Sequence, residues 1–185
     1  TAIRLGIDNT APQDVVIHKN RGEVCAQAED ILFTGVDGKL HTPRLKIILE
    51  EGAQLTLIER QDGSGHYWKN MVTEIELGDG AQLHHIRFQE DGAEGINTNL
   101  VQIKLARDSV YDGFSLNMGG KLSRHEIHAL IEGENAEASF NAVNLLKGTQ
   151  HGDTTIVIEH KSPHSRSNQF IRSLLDDQAR GVFQG

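Results

Sequence analysis

The chain has 185 residues, 37% of them hydrophobic, and a formal net charge of −8 at pH 7. That length supplies one sizeable core, and the acidic balance argues against a nucleic-acid partner, which calls for a basic stripe that displaces counterions from phosphates. No apolar run approaches the roughly 20 residues that span a bilayer, and the single cysteine, Cys25, has no internal disulfide partner, so the sequence predicts a soluble cytoplasmic protein with no membrane partner.

Residues 1–44 are the least regular. Val15 and Ile17 stand 30 residues before Leu45 and Ile47, as an imperfect earlier coil would, and Gly35-Val36-Asp37-Gly38 forms a turn signal after Ile31-Leu32-Phe33. From residue 45 alternating triplets recur: Leu45/Ile47/Leu49, Thr73/Ile75/Leu77, Val101/Ile103/Leu105, Ile127/Ala129/Ile131 and Thr154/Ile156/Ile158, in steps of 28, 28, 26 and 27 residues. Polar turns follow them, and Glu51-Gly52-Ala53-Gln54-Leu55 returns as Asp79-Gly80-Ala81-Gln82-Leu83. A second apolar column, Ile58/Ile86/Phe114/Phe140, comes next.

Alternation marks strands that bury one face, and repetition in register lets each strand lie on its predecessor. The sequence therefore predicts an all-β parallel β-helix, a solenoid flattened into two sheets with roughly 26–28 residues per coil. It places one domain over 1–185, with 1–44 as irregular first coils and 45–185 as regular coils, and expects a longer protein on either side. Pro12, Pro43 and Pro163 fall at strand edges, where a missing amide donor is tolerated. An antiparallel sandwich is the competing architecture; leucine-rich and paired-helix repeats lack their patterns here.

Two polar columns precede the triplets, Lys69/Asn97/Ser123/Gln150 and Met71/Asn99/His125/Gly152. They are expected either as solvated strand ends or as a binding face along the solenoid. Among ten histidines the densest group is His151, His160 and His164, with His125 and His128 as neighbours one coil earlier. These are weak metal candidates, since ligands must converge on one point, and surface histidines are the plainer expectation. Glu23, Glu29 and Asp30 disfavour a Cys25 thiolate, leaving a small buried thiol. Glu50, Glu132 and Glu159 are expected to share a turn column, interrupted by Gly78 and Ala106, and Asp176-Asp177 point to opposite faces. No catalytic residue follows, and the sequence predicts a protein that is not an enzyme.

The stretch His151-Gly152-Asp153-Thr154, Glu159-His160-Lys161-Ser162-Pro163-His164-Ser165-Arg166-Ser167-Asn168-Gln169-Phe170 and Ala179-Arg180-Gly181-Val182-Phe183-Gln184-Gly185 resembles the SufB/SufD family, and most of all its SufD members. The resemblance implies a right-handed β-helix core and a non-catalytic scaffold subunit of iron–sulfur cluster assembly that pairs with SufB-like and SufC-like proteins, SufC being the ATPase. It implies no resident cofactor in this stretch, with a cluster held transiently in the full complex. Many members carry Cys where this chain has Ser165, so no thiol role is carried over, and His160 and His164 match the motif without an assigned role. Two other readings stand beside it. One is a β-helix carbohydrate-binding or polysaccharide-cleaving protein, which an aromatic content of 5% and the broken acidic column disfavour; the other is a solenoid that forms homodimers through its edge strands.

Overall fold

Every strand of this chain lies on a neighbour one coil away, and every such pairing is parallel. The structure is a computed structural model that describes residues 3–5 and 14–185. One sheet stacks β1 (Ile3–Leu5), β3 (Glu29–Gly35), β6 (Gln54–Gly63), β8 (Gln82–Asp91), β10 (Val110–Asn117), β12 (Glu137–Leu146) and β14 (Arg166–Leu175). The other stacks β2 (Asp14–Lys19), β5 (Arg44–Leu49), β7 (Tyr67–Leu77), β9 (Ile96–Leu105), β11 (Leu122–Ile131), β13 (His151–His160) and β15 (Arg180–Gln184), with β4 (Lys39–His41) also on β7. The chain thus alternates between two faces of a β-solenoid, and among the described residues there is no helix. Pro12 lies outside the described residues.

Register follows the predicted columns through four coils. Leu49, Leu77, Leu105 and Ile131 stack directly, and Val15 and Ile17 sit on Leu45 and Ile47. In the next coil the expected columns are two residues out: Ile127, Ala129 and Ile131 meet Ile156, Ile158 and His160, not Thr154, Ile156 and Ile158. The cause is corner length. Four residues separate Asn117 from Leu122, whereas six separate Asn144, the partner of Asn117, from His151, so β12 carries Leu145 and Leu146 past the earlier corner. Glu159 therefore leaves the turn column, which reads Glu50, Gly78, Ala106, Glu132 and Lys161.

The second apolar column also divides. Ile58, Ile86 and Phe114 stack on the outer face, where Phe114 is exposed, while Phe140 pairs with Gly113 and points inward. The inner position is Leu57, followed by His85 and Gly113.

The recurring Gly of the repeated phrase has a backbone cause. Gly22, Gly52, Gly80, Asp108, Asn135 and His164 take φ between 58° and 70° at successive turns, a left-handed conformation that costs a Cβ-bearing residue and suits Gly, Asn and Asp best. Beside this corner lies the apolar half of the interior, built from Leu45, Ile47, Leu49, Leu55, Leu77, Leu83, Leu105 and Ile131. Each such side chain contributes about 1.5–3 kcal/mol on burial.

Candidate functional site

The other half of the interior is polar. Strand alternation sends Glu59 and Gln61 inward from β6, and His85, Arg87, Gln89 and Asp91 inward from β8; facing them are Lys69 on β7, Asn97 and Asn99 on β9, and Ser123 and His125 on β11, all buried. The column predicted as Lys69/Asn97/Ser123/Gln150 runs Lys69/Asn97/Ser123/Gly152, and its neighbour runs Met71/Asn99/His125/Thr154. Neither is a solvated strand end or an outer binding face. Both line the inside of the solenoid.

Two charged centres organise this seam. In the first, Glu59 Oε2 lies 3.0 Å from His85 Nε2, Gln61 Nε2 donates to Glu59 Oε1, and Arg87 Nε stands 3.5 Å from Glu59 Oε1. Burial would raise the Glu59 carboxyl, but His85, Arg87 and Gln61 outweigh it and bring the pKa to about 2. In the second, Lys69 Nζ lies 2.6 Å from Asp91 Oδ1, and Asp91 also accepts from Tyr67 Oη at 2.5 Å and Asn97 Nδ2 at 2.7 Å. Burial opposes the Asp91 charge, and Lys69 overcomes it, so this carboxyl is held below its usual range. Burial, then Asp91, pushes the Tyr67 phenol up, keeping it a donor. A Cβ at Gly35 or Gly63, which pair in register, would run into the Tyr67 ring.

Amides and hydroxyls join the centres and carry the seam along the axis. Asn97 Nδ2 donates to Gln61 Oε1 at 2.6 Å. Arg87 Nη2 donates to Gln89 Oε1 at 2.7 Å and Gln89 Nε2 to Ser123 Oγ at 3.0 Å; Asn117 Nδ2 donates to Ser123 Oγ and to Asn144 Oδ1. The column Gln61/Gln89/Asn117/Asn144 is a ladder of amides on successive coils, a stacking that suits the parallel spacing of about 4.8 Å. Charges inside are matched in pairs, with Glu59 ionised and both Tyr67 and Tyr111 held protonated by burial and neighbouring carboxylates. Such groups hold geometry and fixed charge rather than exchange protons near neutrality.

The histidine candidates do not converge. His151 and His160 occupy opposite ends of β13, about 30 Å apart at 3.3 Å per residue, so they cannot share an ion. His164 holds the left-handed corner. His160 is ringed by hydroxyls, with Nδ1 2.8 Å from Ser165 Oγ and Nε2 3.0 Å from Ser167 Oγ. His125 points inward and His128 outward, where it meets Glu126 at 2.7 Å. Among the described residues no group of three His, Cys, Asp or Glu side chains is placed to hold a metal. Cys25 is half-buried against the core rather than fully enclosed.

The polar seam went unforeseen because its residues carry the same alternation as a solvated strand. Its one signal was the combination of Lys69, Asn97 and Ser123 at the coil period.

Known proteins of similar sequence show the family. Residues 32–185 match the family described as SUF system FeS cluster assembly, SufBD core domain. The chain is 33% identical over 153 residues to the iron–sulfur cluster assembly SufBD family protein slr0076 of Synechocystis, covering 77% of this chain and 34% of that protein. It is 26% identical over 140 residues to the iron–sulfur cluster assembly protein SufD of Escherichia coli, covering 74% and 33%, and 25% identical over 149 residues to the chloroplastic protein ABCI7 of Arabidopsis thaliana, covering 77% and 31%. The chain spans about a third of the length of these relatives. With the family match running over most of its length, the chain belongs to the SufB/SufD family of the SUF iron–sulfur cluster assembly system, as part of the SufBD core domain.

Proposed function

We propose that the whole protein is a non-catalytic scaffold subunit of iron–sulfur cluster assembly, pairing with a SufB-like protein and a SufC-like ATPase in the cytoplasm. The observation that carries this reading is the family match over residues 32–185, and the similarity to a protein named SufD supports the choice of role. The interior agrees with it: the buried ionisable groups of the two charged centres are engaged with one another, which favours a stiff frame over an active site. The iron–sulfur cluster is cargo, held transiently by the full complex, and no residue of this chain is assigned to it.

A solenoid of this kind supports such a role through its stiffness. Parallel ladders bond each coil to the next, so a displacement of one coil is passed to its neighbours along the axis. In the proposed complex, nucleotide binding by the SufC-like partner alters the geometry between two scaffold subunits, and the solenoid carries that change as a rigid body.

The carbohydrate alternative needs stacked carboxylates. The turn column instead reads Glu50, Gly78, Ala106, Glu132 and Lys161, with a lysine where Glu159 was expected, and no specific contact favours that reading. Deleting the gene tests the proposal. Iron–sulfur enzymes should lose activity in the deletion strain and regain it on complementation with the full-length gene; unchanged cluster enzymes would overturn it.

A further inference from the structure

We infer that the solenoid binds one ordered water molecule between its two sheets, held by Arg87 Nε of β8 and His125 Nδ1 of β11. These side chains are 3% and 8% exposed. Neither atom has a hydrogen-bond partner among the described residues, although a buried polar group left unsatisfied is costly. Both side chains line the same small cavity, together with Tyr111, Phe140, Thr154 and Ile156 on its inner side and the exposed Phe114 at its outer side. Its volume is about 20 Å³, against a need of roughly 10–15 Å³ for a single water.

The chemistry of the two walls selects the occupant. Arg87 Nε–H can only donate, so the ligand must accept there. A neutral imidazole offers Nδ1 as an acceptor in one tautomer, and burial, then the Arg87 charge, holds His125 neutral. Water meets both demands, accepting from Arg87 and donating to His125. An anion could accept from Arg87, but that charge is already matched by Glu59 at 3.5 Å, and the carboxylate would repel a second negative charge. A cation meets the guanidinium itself. The hydroxyl of Thr154, on the strand next to His125, offers a third partner of the kind buried waters commonly use.

The water links the sheets at the level where the apolar interior gives way to the polar seam. Arg87 reaches Ser115 Oγ at 3.3 Å and Gln89 at 2.7 Å through its terminal nitrogens, while its Nε, 3.5 Å from Glu59 Oε1, makes no well-aligned hydrogen bond. The inference concerns this chain's interior alone and stands independently of its role in cluster assembly.

A crystal structure of the intact protein at better than about 1.5 Å, with a second crystal soaked in bromide, tests it. The expected result is a water peak within hydrogen-bonding distance of Arg87 Nε and His125 Nδ1, with no anomalous bromide signal there. Water-deuteron relaxation dispersion should count one long-lived internal water fewer in His125→Leu than in the native protein; where that variant fails to fold, Thr154→Val is to exchange the water faster. A bromide peak at the site, a dry cavity in well-ordered density, or an unchanged long-lived water count in folded His125→Leu would each overturn the inference.

Discussion

Lys69 Nζ lies 2.6 Å from Asp91 Oδ1, with the two side chains 1% and 0% exposed, so a full ion pair joins β7 to β8 inside the solenoid. Taking both charges from water costs several kcal/mol each, and the attraction repays this only while both partners remain. Lys69→Met is therefore expected to destabilise the protein by about 3–5 kcal/mol, since it leaves Asp91 buried without its cation. Lys69→Met combined with Asp91→Leu should recover most of that loss. Denaturation midpoints of the two variants check it; equal losses would show that the pair is not the coupled unit described.

Acid should weaken the protein in two stages. Burial lowers His125 and His41 from the ordinary histidine value of 6.5, so both are neutral when folded and bind protons more readily when unfolded. Their contribution is complete above pH 6.5 and declines as the pH falls below it, by at most about 1.4 kcal/mol per pH unit for each group. Glu59, at about 2 against 4.5, acts later: its stabilisation is present above pH 4.5 and is lost between 4.5 and 2. Midpoints measured from pH 8 to 3 should show His125→Gln flattening the first stage and leaving the second. A profile in which this variant matches the native protein between pH 6.5 and 4.5 would contradict the assignment.

Asn135 takes φ 58° at the left-handed corner, where the preceding coils place Asp108, Gly80 and Gly52. Asn135→Val should cost about 1–2 kcal/mol, because a β-branched side chain clashes in that conformation, whereas Asn135→Gly should leave stability within about 0.5 kcal/mol. Melting temperatures of the pair separate backbone strain from the lost side-chain bond to Asp108 Oδ1 at 3.0 Å. If both substitutions lower the melting temperature equally, the side-chain bond is the cause.

Gly133 permits a close approach of two coils. A Cβ there would collide with the backbone of Ala106 and Arg107 one coil away, which cannot withdraw without breaking the ladder. Gly133→Ala is expected to cost about 1–3 kcal/mol as overpacking, while Ala at Gly22, where nothing lies within 4 Å but φ is +70°, should show only conformational strain. Hydrogen exchange should then quicken at the Glu132 and Gly133 amides, which both bond Leu105 O.

Much of the fold was legible because the apolar triplets repeat with period two inside a coil and near 28 residues between coils. Leu49, Leu77, Leu105 and Ile131 could be stacked from sequence for that reason. The slip at His160 arose at a corner, where length varies without any hydrophobic signal: two more residues, Leu145 and Leu146, extend a strand rather than a turn. The seam was hidden for a deeper physical reason. Polarity patterning assigns apolar residues to the inside, and Glu59, Lys69, Arg87 and Asp91 are inside because each has a charged partner there. Pairing depends on neighbours a coil away, which a strand's own pattern does not encode.

The scaffold role proposed for the whole protein is tested by co-purification of the full-length form with the proposed SufB-like and SufC-like partners, followed by iron and acid-labile sulfide quantification. The expected result is a stable complex that acquires iron and sulfide under assembly conditions, with neither retained by this subunit alone. Recovery of the subunit without either partner, from cells that express all three, would contradict it.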